Sequence, residues 1–186
     1  MRRFTRAGAG VDGGMLVAAL LGLPVLVLVL ATGPTLTADG ELHLHRAVSV
    51  AYLLRMHPLE WPRWAPHLYL GHGYPVHHFY APGAAILGAL PILLGVAPTQ
   101  SIAWVQALAL LLAPIGAYRW ARRFSPPRGA LVAASAYLFA PVILRELWLQ
   151  GNIDPLLGLA VAPWVLRAIS DVADRPTSRR VAVLGL

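Results

Sequence analysis

Cysteine and lysine are absent from this chain of 186 residues, and charged residues of any kind are scarce. Without cysteine there is no disulfide framework and no thiolate chemistry. Charged residues make up 12% of the chain and hydrophobic residues 58%, whereas soluble domains are about 25% charged and about 45–50% apolar. This composition excludes a disordered protein and is untypical of a soluble enzyme, so the sequence predicts an integral membrane protein.

The charges that are present predict how the chain crosses the membrane. All 15 basic residues are arginine, against eight acidic residues, and no basic stripe interleaved with aromatic residues points to nucleic acid as a partner. Arginine clusters at 2–6, 119–128 and 167–180 flank apolar stretches, and loops rich in arginine stay cytoplasmic. We therefore expect a multi-pass protein of the plasma (inner) membrane with a cytoplasmic N-terminus and membrane lipids around it.

The apolar stretches predict an all-α fold, a polytopic bundle of transmembrane helices. A span needs roughly 20 apolar residues, and we place spans at about 15–36, 101–118, 129–147 and 155–169, with a further one beginning near 181. The first stretch also fits a secretory signal peptide cleaved after Ala31. The intervening 37–100 forms a large outer loop with surface helices. Its apolar segment 83–97 is short and interrupted by Pro91, so we expect it to lie at the outer surface or to dip in and return.

The start of the outer loop carries the first candidate site. A helix is predicted from Glu41 to Met56, and Asp39, His43 and Arg46 share one of its faces at helical spacing. A carboxylate there is suited to take a proton from a hydroxyl nucleophile or to hold a divalent cation, Mg²⁺ or Mn²⁺, while the histidine and arginine complement a phosphate. Two alternatives stay open: a solvated polar face, and a zinc site, which the i, i+2 histidine spacing disfavours.

Two further segments add candidate binding residues. The aromatic, proline-rich segment that contains His72, His78 and Tyr80 suits either a cover over a sugar or an anchor at the membrane interface. Arg145 and Asp154 bracket a short outer loop at membrane depth, where ionisable residues are costly and therefore functional candidates. The alternative there is a local pair between Arg145 and its acidic neighbour, with Asp154 capping a helix. We expect the Asp39 and Asp154 carboxylates to lie within about 15 Å of each other.

At this point the pattern resembles a known superfamily. An acidic motif opens the large outer loop, an aromatic block rich in glycine and proline follows, and a second outer acid precedes a span. The residues that carry the resemblance are Ala38, Asp39, Gly40, Glu41, Trp64, Pro66, Gly71, Gly73, Pro75, Phe79, Tyr80, Pro82 and Asp154. The chain is similar, over about 15–180, to the amino-terminal part of GT-C type membrane glycosyltransferases. Within them it is closest to the bacterial membrane family labelled "6-pyruvoyl-tetrahydropterin synthase-related".

The resemblance implies one membrane domain over 1–186, expected to be the amino-terminal part of a longer protein. It implies transfer of a sugar from a polyprenyl-phosphate donor, on the outer face of the membrane, to a lipid, glycan or protein acceptor. Asp39 matches the first-loop acid and is the expected base or metal-proximal acid, with Glu41 the neighbouring candidate and Asp154 the second-loop acid. Two rivals remain, a non-catalytic protein that binds lipid or glycan, and a transporter subunit. The charge-free centres of the spans count against the transporter.

Overall fold

The described part of this computed structural model comprises residues 12–34, 38–174, 177, 178, 181, 182 and 185. Within those ranges the chain is helical with no strand, and its one antiparallel bridge joins Ala65 to Tyr74. This confirms the predicted all-α class. In chain order the helices are α1 (Gly13–Leu21), α2 (Leu23–Thr32), α3 (Gly40–Met56), α4 (Val76–Phe79), α5 (Gly83–Leu93), α6 (Pro98–Ala121), α7 (Pro127–Leu138), α8 (Pro141–Leu144), a π-helix (Arg145–Gln150) and α9 (Ile153–Asp174).

Three of the helical segments described are long and apolar enough to cross a membrane, namely Pro98–Ala121, Pro127–Gln150 and Ile153–Asp174. They cover the spans expected at 101–118, 129–147 and 155–169. The expected first span is a pair, α1 and α2, bent by 40°. Counted as one span, the pair gives a fourth. The span expected from about 181 lies largely outside the described residues.

The break between α1 and α2 falls at Gly22, where the chain needs a residue without a side chain. A Cβ built on Gly22 would lie 2.8 Å from the carbonyl oxygen of Leu110 in α6. Real Cβ atoms do not approach backbone that closely, so the absent side chain lets α1 and α6 approach each other. The predicted uninterrupted first span is therefore corrected to a bent one.

By its internal contacts the chain divides into two compact units. One comprises the described residues among 1–26, 109–143 and 158–186. In it, Tyr118 donates a hydrogen bond to Asp12 (3.1 Å), and Trp164 donates one to the carbonyl of Leu112 (3.0 Å). Arg123 pairs with both Asp171 and Asp174 near the end of α9. These polar contacts join helices that otherwise meet through small apolar residues.

The second unit comprises the described residues among 27–108 and 144–157, and it contains the segment predicted to be the outer loop. Its core is the packing of α3 on α5, where a Cβ on Gly88 would lie 2.9 Å from the Cβ of Ala47. Ala47 and Ala51, whose helical spacing predicts an apolar face, are fully buried there, and α3 has nearly its predicted length. The 11 residues of α5 rise only about 16 Å, half of the hydrocarbon core. This agrees with a segment that does not span alone, although Pro91 lies within the helix and does not end it.

Candidate functional site

The site is assembled where the π-helix meets the start of α3. The π-helix ends at Gly151, whose φ of 61° is the left-handed conformation that glycine adopts readily. The backbone N–H groups of Gly151 and Asn152 both donate to the carbonyl of Glu146, which closes the turn. The next contact ties this turn to α3, because the backbone N–H of Asp39 donates to the carbonyl of Gln150 (3.0 Å).

Asn152 bridges Asp39 and His43. Its Nδ2 donates to Oδ2 of Asp39 (3.2 Å), and its Oδ1 lies 2.8 Å from Nε2 of His43. A carboxylate only accepts hydrogen bonds, so the amide NH₂ must face Asp39 and its oxygen must face the imidazole. His43 is then protonated on Nε2, and in the neutral ring the lone pair of Nδ1 is free to face the next group in the chain.

The next group in this chain of contacts is Asp154. Its Oδ2 lies 3.7 Å from Nδ1 of His43 and also 3.7 Å from Nη1 of Arg46. Both separations exceed normal hydrogen-bond lengths. Asp154 therefore attracts the Arg46 guanidinium without a hydrogen bond, whereas Nδ1 of neutral His43 presents a lone pair to the carboxylate and is attracted to it only when the ring is protonated. Because two side chains, Asn152 and His43, connect the carboxylates of Asp39 and Asp154, the expected approach of these two acids is confirmed.

Arg46 is a buried cation that is incompletely paired. It is 6% exposed, its guanidinium lies over the ring of Tyr80 with Cζ 4.3 Å from the ring centroid, and its Nε is buried without a hydrogen-bond partner. His77 is similarly buried at 7%, and its Nε2 also lacks a partner in the described structure. A buried charge is stable only when paired and hydrogen-bonded, so the partly paired guanidinium of Arg46 is the group in this cluster that an anionic ligand would contact.

Burial governs the protonation of both histidines. It lowers the pKa of His43, and the nearby Arg46 acts in the same direction, while Asp154, the Asn152 hydrogen bond and Asp39 oppose the shift. The pKa of His77 is lowered by burial and then by Arg46. Both imidazoles are therefore neutral near pH 7, and each retains one nitrogen that donates and one that accepts.

Five of the predicted site residues belong to this one cluster: Asp39, His43, Arg46, Tyr80 and Asp154. The face of α3 that carries His43 and Arg46 is buried, so its interpretation as a solvated polar face is wrong. The interpretation of Asp154 as the helix cap is also corrected. Helix α9 begins at Ile153, two residues before the Pro155 start that this interpretation requires, and Asp154 lies in the first turn with its carboxylate toward His43 and Arg46.

The other four predicted residues lie apart from these contacts. Glu41 is exposed and pairs with His45 (3.6 Å), so it faces solvent and not the cluster. His72 and His78 are exposed, and within the described ranges neither contacts a cluster residue. Arg145 is 58% exposed and pairs with its buried neighbour Glu146 (3.4 Å), which confirms the local pair.

Sequence reasoning missed two members, Asn152 and His77. Asn152 has no charge and stands in a short loop, so only its contacts reveal the bridging role. His77 is followed directly by the exposed His78, and neither helical periodicity nor composition shows which of the two histidines is buried. The available signal was the GNID turn before a span, which places an amide beside a predicted acid.

A resident metal ion finds few ligands here. Within the described part of the chain, no group of three or more His, Asp or Glu side chains is arranged to hold one. Mg²⁺ commonly takes one or two carboxylates and completes its shell with substrate phosphate and water, so a cation at Asp39 or Asp154 would depend on such ligands. Comparison of the chain with protein-family models, curated proteins and solved structures finds no match.

Proposed function

We propose that this chain is part of a membrane glycosyltransferase of the GT-C type, which transfers a sugar from a polyprenyl-phosphate donor at the outer face of the plasma membrane. The observation that carries the proposal is the meeting of two acids from distant segments, Asp39 and Asp154, around a buried arginine. The acids stand at the ends of apolar helices, where a lipid-linked phosphate would present its sugar. An ion pair with only a structural role would need one carboxylate beside Arg46. It would need neither a second carboxylate nor unpaired nitrogens nearby.

In the proposed reaction, Asp39 accepts the proton of an acceptor hydroxyl. The hydroxyl oxygen forms a bond to the anomeric carbon, and the bond from that carbon to the donor phosphate breaks with its electron pair on the phosphate. Arg46 and His77 would contact the phosphate, whose entry must first open access to their buried, unpaired nitrogens, and Tyr80 would cover the sugar. Stabilising the charge that develops on the leaving phosphate is the largest expected contribution.

Asn152 and His43 act as positioning residues in this scheme. The Asn152 amide holds one oxygen of Asp39, and His43 fixes the orientation of that amide. The other carboxylate oxygen of Asp39 makes no hydrogen bond in the described part of the chain and is available to the acceptor. Asp154 balances the charge of Arg46 until the phosphate arrives.

A second function has a specific observation in its favour. A lipid-linked phosphate that reached the unpaired nitrogens of Arg46 and His77 would be bound there without any chemistry. A non-catalytic lipid- or glycan-binding protein would retain these two residues and would not depend on the basicity of Asp39. The two functions are therefore separated by a variant that affects only Asp39.

The test uses membranes containing the protein as it occurs, supplied with polyprenyl-phosphate-linked radiolabelled glucose, mannose or arabinose. Asp39→Asn should lower transfer about 10²–10⁴-fold, the usual effect of losing a general base, while donor retained by the purified protein stays unchanged. Arg46→Gln should reduce donor retention itself. Glu41→Gln is the matched control, because this acid is two positions away but faces solvent, and it should leave both measurements unchanged.

Transfer at the wild-type rate by Asp39→Asn would contradict the catalytic assignment and leave the binding function. Loss of donor retention in Glu41→Gln as well as in Arg46→Gln would show that the assay reports protein integrity and not the cluster. Absence of both transfer and retention in the wild type would reject both functions.

A further inference from the structure

A cavity lies at the end of α3 opposite the Asp39 cluster. Its volume is about 270 Å³, slightly below the roughly 300–1,000 Å³ typical of sites for drug-sized ligands. It combines aromatic and apolar walls with polar groups of both charge signs. Its lining includes Trp61, Pro62, Trp64, His57, Glu60 and Arg63.

The wall formed by Trp64 is held rigidly before any ligand arrives. Gly73 has a φ of +80°, and a Cβ on it would lie 2.3 Å from Nε1 of Trp64, so the indole lies directly against the glycine backbone. Ala65, which follows Trp64 in the chain, exchanges two backbone hydrogen bonds with Tyr74 (2.8 and 3.0 Å). Rigid walls lower the entropic cost of binding, and Trp64 still leaves 49% of its surface exposed.

The charges of the cavity favour a neutral ligand. Glu60 and His57 face each other at 3.8 Å, and the guanidinium of Arg63 also lines the cavity. The carboxylate of Glu60 would repel a phosphate, and the guanidinium of Arg63 would repel a cation. A neutral ring with hydroxyl groups matches both, because hydroxyls donate to the carboxylate and accept from the guanidinium, while the C–H face of the ring covers an indole.

We propose that this cavity binds one neutral sugar ring of a glycan. Leu53, which also lines the cavity, is 14 residues from Asp39 along the chain, which corresponds to roughly 20 Å along the helix axis. The ring bound there is therefore remote from the Asp39 cluster. The inference does not depend on glycosyl transfer, since a binding protein would use the same cavity. In an enzyme, remote binding of this kind orients the acceptor.

The experiment follows tryptophan fluorescence of the protein in lipid nanodiscs, without any glycoside detergent that would occupy the cavity. The probes are the methyl glycosides of glucose, mannose and galactose, N-acetylglucosamine, and the trisaccharide maltotriose. At least one should give a saturable change with a millimolar dissociation constant. Trp61→Ala should weaken binding at least about 10-fold, and Trp61→Phe should restore most of it because an aromatic face remains.

Trp104→Phe is the matched control, since this tryptophan in α6 is comparably exposed at 46% and does not line the cavity. It should bind the same sugar with unchanged affinity. No saturable response to any of the five probes would overturn the proposal, as would an equal loss in Trp61→Ala and Trp104→Phe. Quenching of Trp61 by bromine-labelled lipid, with no protection by sugar, would also overturn it and identify the segment as an interface anchor. Failure here leaves the assays on Asp39 unaffected.

Discussion

Substitution of Asn152 is the most direct test of the contacts that hold the cluster together. Two replacements of similar size perturb it in different ways. Asn152→Leu removes the donor to Asp39 and the acceptor from His43 together. Asn152→Asp keeps the acceptor for His43 but sets a second carboxylate against Asp39, where the present contact measures 3.2 Å.

The magnitude for Asn152→Leu follows from the groups that lose a partner. A buried polar group left without a hydrogen bond costs about 1–3 kcal/mol. His43 is buried at 3% exposure, whereas Asp39 is half-buried and water can replace part of its loss, so we expect about 1–2 kcal/mol. For a chain of this size that corresponds to a fall in Tm of roughly 3–6 °C.

The pKa of His43 gives the more specific measurement, because Asn152→Asp should raise it. Burial holds the wild-type value below the ordinary value, and a carboxylate at hydrogen-bond distance favours the imidazolium. The assay is an NMR titration of protein labelled at histidine, with the His43 signal assigned through its absence in His43→Gln. Thermal unfolding of the same samples, followed by fluorescence, supplies Tm.

Two results would refute the bridging role. One is an Asn152→Leu variant with the Tm of the wild type. The other is an Asn152→Asp variant in which the pKa of His43 stays unchanged or falls. Glu41→Gln serves as the control for both measurements, since an exposed substitution of this kind is expected to change stability by less than about 0.5 kcal/mol.

Two other predictions concern pH and topology. Because burial lowers the pKa of His43 and of His77, the unfolded chain binds protons first as the pH falls below about 6.5. The Tm should therefore be highest above that pH and fall on acidification, less steeply in His77→Gln; a Tm independent of pH between 7.5 and 5 would contradict this. Single cysteines at Leu59 and Thr99, both exposed, should be labelled from outside the cell, and one at Arg128 only after permeabilisation. Labelling of Thr99 only after permeabilisation would mean that α5 takes part in a span.

The sequence alone predicted the helices because each depends on local properties of the chain. Hydrophobic length sets the span-sized segments, and the spacing of Ala47 and Ala51 with their apolar neighbours sets α3 to within one residue. Pairs within one helix, such as Glu41 with His45, were predictable for the same reason. Gly22 shows the limit, since Gly22 and Pro24 mark a break in the sequence, but no local pattern indicates that the Leu110 backbone packs against Gly22.

The tertiary structure decided which polar residues form the site. Asp39 and Asp154 were identifiable as acids at span ends, but the hydrogen bond between His43 and Asn152 crosses 109 positions. Periodicity describes only neighbours on one helix, so it assigned His43 and Arg46 to a shared face without indicating that the face is buried. It likewise did not separate buried His77 from exposed His78. Burial of these groups arises from packing between segments that are distant in the chain, and that packing brings a neutral amide, an imidazole and a guanidinium to the two acids.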